Sequence, residues 1–157
     1  IDPENQPMEP DITQALTPGL PRRLAAMAYD LTLLLGLLML AVTLVVVPYE
    51  GLTGEPFPQQ GPLFHLHQVY LACVFAGFHT YFWVHGGQTL GMRAWRFRLL
   101  RDDGRPLSGA DALRRFGFAA LTLGPISLLW VPFDPQGLSP YDRLSRTRPV
   151  LLKRSAS

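Results

Sequence analysis

Leu24 to Val47 reads LAAMAYDLTLLLGLLMLAVTLVVV, a run whose only charged residue is Asp30. As an α-helix rising ~1.5 Å per residue it is ~36 Å long, enough to cross a ~30 Å hydrocarbon core with some tilt. It is apolar all round, so it lacks the single stripe of a helix that lies on a soluble core. The stretch is therefore expected to span a membrane. Arg22 and Arg23 stand at its start, where their stems can lie along lipid while the guanidinium groups reach water. Asp30 breaks the pattern. A carboxylate inside a membrane helix costs ~3 kcal/mol or more on insertion scales, and such residues usually face protein or water and mark function. Arg23 and Asp30 are about two turns apart and share a face, with Asp30 ~10 Å deeper.

Upstream, residues 1–20 carry Pro-flanked acidic and polar clusters with no apolar periodicity, which reads as a disordered tail. Ile1 is not an initiator. Either a methionine has been removed, or the first seven residues are foreign and Met8 starts the chain. The apolar run exceeds the ~7–15 residues of a signal-peptide core, and Val-Val-Val-Pro is a poor cleavage site, so the helix is expected to stay as an anchor.

Downstream, Pro48 to Pro62 is a loop by turn chemistry and holds Glu50 and Glu55 but no Lys or Arg. Leu63 to Val84 is rich in aromatics and is expected to be a second membrane span. Gly86 to Arg115 then carries Arg93, Arg96, Arg98, Arg101, Arg105, Arg114 and Arg115. Within it, Ala94 to Leu100 alternates apolar residues with Arg, which suits a short strand or an interfacial segment. Ser108 and Asp111 have capping-box spacing, so a helix is expected to start at Gly109. Phe116 to Phe133 is a third apolar stretch, broken by Gly124-Pro125. The single cysteine, Cys73, forms no intramolecular disulfide.

The positive-inside rule puts the N-terminus and the Arg-rich loop in the cytoplasm and Pro48–Pro62 outside. A third full crossing would export a tail holding Arg143, Arg146, Arg148, Lys153 and Arg154. A re-entrant helix-Gly-Pro-helix hairpin avoids this, because irregular backbone is tolerated at membrane depth when protein buries it. The expected fold class is thus an all-α membrane protein: two full transmembrane helices plus a third broken apolar segment, either a re-entrant hairpin or a third span. Its membrane domain covers residues 21–153, with a short C-terminal tail at 154–157.

Three separate pieces, RRLAAMAYD, GQTLGMRAWRFRLLRDDGRPLSGADALRRF and YDRLSRTRPVLL, together resemble the RDD family of small bacterial membrane proteins. The resemblance implies a multi-pass protein of the bacterial inner membrane whose naming Arg and two Asp match Arg23, Asp30 and Asp142. Met92 and Tyr141 depart from the Lys and His that many members carry. Transport of ions or other ligands has been proposed for the family.

Asp30 has two readings: a site for a proton or a cation, or a structural ion pair with an Arg near the cytoplasmic face. His79 lies at a similar depth and either relays protons with Asp30 or bonds between helices. Arg114 and Arg115 are candidates to pair with Asp30 or Asp142, since a bidentate guanidinium suits a partly buried site. Arg93, Arg96 and Arg98 are read as contacts to lipid headgroups rather than nucleic acid. His65 and His67 are two apart and share no helix face, so no metal site is expected. Thr89 and Gly91 lack the Lys and strand–helix context of a phosphate loop. No catalytic constellation or cofactor fingerprint stands out, and no enzyme is expected. One such chain offers few helices to enclose a pathway, which points to a homo-oligomer or a larger membrane complex as partner. The function is then either a small ion-coupled transporter or a non-catalytic accessory or assembly subunit.

Overall fold

The computed structural model describes residues 16–152; residues 1–15 and 153–157, and with them most of the expected tails, lie outside it. Helix α1 runs from Leu20 to Thr53, α2 from Pro62 to Val84 and α3 from Leu90 to Ala94. Strand β1 (Phe97–Arg101), α4 (Gly109–Leu121), a 3-10 helix (Ile126–Phe133), α5 (Pro140–Ser145) and β2 (Thr147–Leu151) complete the chain.

The 34-residue α1 is the axis. It begins four residues before the apolar run, with Pro21 in its first turn, where a missing N–H costs nothing. It also continues through Pro48, so the expected loop shrinks to 54–61. Gly54 ends the helix in a left-handed conformation, its N–H returned to the Glu50 carbonyl. Only Arg23, Ala26, Asp30, Leu34 and Ala41 are buried along it. Leu31, Leu35, Met39, Leu44 and Val47 are each about 60% exposed, an apolar surface of the kind that lipid or another protein covers. Of the residues expected in the tail, Leu16 accepts a hydrogen bond from the Leu151 amide, and Pro18 is buried.

Helix α2 has the length of a span, but His65, His67, Gln68 and His79 dilute its apolar character. Among the described residues α1 alone is long and apolar enough to cross a membrane, and α4 with the 3-10 helix forms one bent pair at 96°. Helix α4 starts at Gly109 with the expected capping box: Ser108 accepts from the Asp111 amide, and the Asp111 side chain accepts from the Ser108 amide. The Gly124-Pro125 break is present.

The expectation of an all-α chain needs correction, because β1 and β2 form an antiparallel ribbon, Phe97 opposite Leu151 and Arg101 opposite Thr147. The Arg alternation that announced β1 is borne out. Strand β2 was hidden by Pro149, which normally argues against a strand. It is tolerated because Leu99, its partner, sends its own N–H away from the ribbon to the Gly87 carbonyl at 2.7 Å. The pair is thus a non-hydrogen-bonded one, and proline removes no ladder bond.

Helix α3 packs across α1 and approaches it closely at Gly91. A Cβ on Gly91 would run into the Ala26 carbonyl oxygen of α1 and press on the Asp30 carboxylate. Gly36 and Gly77 meet nothing within 4 Å. Gly91→Ala is therefore expected to destabilise the protein by roughly 1–3 kcal/mol, read as a lower melting midpoint in detergent. Gly36→Ala and Gly77→Ala should leave the midpoint unchanged or slightly raised.

Candidate functional site

Asp142 is fully buried and sits between two guanidinium groups. Arg23 Nη1 donates to its Oδ2 at 2.7 Å, and Arg115 Nη1 lies 2.7 Å from its Oδ1. The second contact is an ion pair without hydrogen-bond alignment, since Nη1 of Arg115 donates instead to Thr147 Oγ1 at 2.6 Å. The Ser139 amide donates to Oδ2 at 2.9 Å and closes a second capping box, that of α5. Burial alone would raise the Asp142 carboxyl; Arg115, Arg23 and the Ser139 amide outweigh it and hold it below the usual carboxylate value.

Both arginines are fixed on their other sides. Arg23 Nε donates to the Pro18 carbonyl and Nη2 to the Gly137 carbonyl. The Arg115 guanidinium lies between the rings of Trp83 and Tyr141, 5.4 and 4.9 Å from their centroids. Residues near the starts of α1 and α5 and in the middle of α4 therefore meet at one carboxylate. The chain leaves this point at Arg115 and returns to it at Asp142, as the hairpin reading expects.

Asp30 is buried as expected, but it contacts neither Arg nor His. Its carboxylate accepts from the Thr89 hydroxyl and, at 2.8 Å, from the Gly91 amide. The reason is steric: Gly91 lets α3 press onto α1 at this level, and the first turn of a helix has free N–H groups to offer. The remaining candidates separate. His79 hydrogen-bonds the Phe75 carbonyl of its own helix and meets α4 through ring packing on Phe116, 6.2 Å between centroids. Arg114 pairs with Asp111 at 2.8 Å, not with Asp30 or Asp142, and Arg101 joins the same carboxylate. Arg93 and Arg96 are exposed and Arg98 is half-buried. A cavity of about 40 Å³ is lined by Arg23, Asp30, Met92, Arg115 and Tyr141 among others, and Arg115 Nε is buried without a hydrogen bond. This volume suits one to a few waters or a small ion.

The whole arrangement has a signal in the sequence that no single motif carries. Gly87-x-Thr89-x3-Arg93-x2-Arg96-x-Arg98 recurs fifty residues later as Gly137-x-Ser139-x3-Arg143-x2-Arg146-x-Arg148. The conformations repeat as well. Gly87 and Gly137 have φ of 68° and 65°, and Arg96 and Arg146 have 55° and 53°. Thr89 caps α3 as Ser139 caps α5, and β1 and β2 follow with the same burial pattern. The ribbon register maps onto itself when each strand is exchanged for the other. Helix α1 lies across this pseudo-twofold. Its Asp30 takes the amide and hydroxyl of the first capped turn, and its Arg23 takes the carboxylate of the second.

Asp142→Asn leaves Arg23 and Arg115 buried without a full counter-charge and should cost about 3–5 kcal/mol. The acid dependence follows from the sign of the shift. The folded Asp142 value lies below its unfolded value of ~3.9, so its contribution is complete above that pH and is lost as pH falls through the lower folded value. Melting midpoints should stay flat from pH 7 to about 5 and fall below about 4. Asp142→Asn should start lower and lose part of the acid-dependent fall.

The model of the RDD family matches residues 17–146. No curated protein and no solved structure matches the chain.

Proposed function

The chain belongs to the RDD family, a membrane family, and from that premise we propose that it is a non-catalytic accessory or assembly subunit of the bacterial inner membrane. One observation carries the reading. The Arg and two Asp that match the family's name are closed on protein partners, Asp142 by Arg23 and Arg115, Asp30 by Thr89 and Gly91. Charges so occupied lock elements together. They leave no open carboxylate along a conduit.

In this reading α1 and α2 cross the bilayer and the N-terminus is cytoplasmic, with the Arg-rich layer on the same side. The bent segment returns to the side it left. The exposed apolar flanks of α1 then meet lipid, further copies of the chain, or a larger complex. The cavity beside Asp30 and Arg115 favours a second reading, a small ion- or proton-coupled transporter, in which several copies supply the missing walls.

Vesicles holding the purified chain should show no proton or cation flux above empty vesicles, while native membranes yield it together with a second, larger protein. Flux from the chain alone that disappears in Asp30→Asn would establish the transporter instead. The topology has its own check. Reporters fused to the two ends should both be active in the cytoplasm, because Arg23 and Asp142 touch; an inactive C-terminal reporter on a stable protein would place a full crossing between them.

A further inference from the structure

The two repeats differ in how their arginines are neutralised. In the second, Arg143 pairs with Asp134 at 2.6 Å and Arg148 Nε reaches Asp102 at 3.3 Å. The positions that the fifty-residue offset relates to Asp134 and Asp102 hold Val84 and Leu152. The comparison is close at backbone level: the Asp102 amide donates to the Arg146 carbonyl at 3.1 Å, and the Leu152 amide donates to the Arg96 carbonyl at 3.0 Å. Two frames of like geometry thus carry the same arginines, and one lacks both acids. Among the described residues Arg93 and Arg98 have no acidic partner within 4 Å. Arg98 Nε is shut off from solvent with no hydrogen bond.

The surroundings say what kind of anion fits. Trp95 and Leu90 of the first repeat are 43% and 37% exposed. Trp95 corresponds to the fully buried Ser145 of the second. Basic, aromatic and apolar side chains exposed together are the chemistry of the headgroup layer, where a phosphate lies beside acyl chains.

We propose that the first repeat takes its missing counter-charges from the phosphate groups of anionic phospholipids, one at Arg98 and one at Arg93. The proposal rests on the membrane placement above. The second repeat takes the same charges from protein carboxylates, Asp134 and Asp102, so one duplicated frame is open to lipid and the other is sealed.

Native mass spectrometry of the full chain in detergent, titrated with phosphatidylglycerol or phosphatidylcholine, tests this. Phosphatidylglycerol should be retained in preference. Arg93→Gln and Arg98→Gln should each weaken it about fivefold, with the melting midpoint unchanged, while Arg105→Gln should not. Installing the absent acids, Val84→Asp or Leu152→Asp, should weaken phosphatidylglycerol and spare phosphatidylcholine. Equal retention of the two lipids by a chain recovered from membranes overturns this inference and leaves the membrane reading standing; a chain recovered in the soluble fraction overturns both. Inorganic phosphate competing as well as the lipid would make the ligand a soluble anion. A gain in lipid retention on neutralising Asp2, Glu4, Glu9 and Asp11 together would make the chain's own acidic segment the occupant. Either result overturns the lipid assignment.

Discussion

Asp142, with no exposed surface and two arginines against it, is the contact on which the rest of the fold depends. Desolvating such a cluster is expensive, and a well-packed apolar replacement is often as stable. Its worth lies in what it makes specific. Arg23 opens α1, Arg115 lies in α4 and Asp142 lies in α5, so a single site holds three elements far apart in sequence. A slipped or misfolded arrangement buries one of these charges without its partner. Aligned elements are the one solution in which all three can leave water.

Helix α1 reads both repeats because Arg23 and Asp30 share a face two turns apart. The chemistry is opposite at the two ends. The first turn of α3 presents an amide and a hydroxyl, which suit a carboxylate. The first turn of α5 presents a carboxylate already held by its own amide, which suits a guanidinium. The difference comes from two positions: Met92 stands where the second repeat has Asp142, and Gly91 stands where it has Tyr141. Gly91 admits the backbone of α1, whereas Tyr141 provides one of the two rings that hold Arg115. Two turns of common backbone geometry have been made into complementary receptors by side-chain size and charge.

Much of this was legible in the sequence, and the rest failed for identifiable reasons. The apolar run, the Ser108 cap, the strand at Arg98 and the Gly124-Pro125 break are local signals, and each appears where it is expected. Arg115 was one of the arginines expected at Asp142, and it is there, joined by Arg23. Asp30 misled, because a buried carboxylate suggests a charged partner and its real partners are a hydroxyl and an amide that carry no charge signature. Thr89 and Gly91 lack a phosphate-loop lysine, and their donors serve a protein carboxylate instead. Strand β2 was masked by Pro149, whose tolerance depends on a register no local pattern reveals.

The position of Asp30 also fixes how much of α1 is left for lipid. Below it, Arg23, Ala26 and Asp30 are covered by α3, α5 and the segment leading into α1. From Leu31 onward the helix flanks are largely bare up to Val47. That bare part is seventeen residues, ~26 Å at helical rise, close to the ~30 Å of a hydrocarbon core. On the proposed membrane placement the bilayer boundary falls near Asp30, with the half-exposed Tyr29 beside it in the position an interfacial aromatic takes. A carboxylate that looks deeply intramembrane when α1 is read alone becomes a boundary residue once the folded cap is counted. On that placement its insertion cost is met by two protein donors, the Thr89 hydroxyl and the Gly91 amide, where the cap ends.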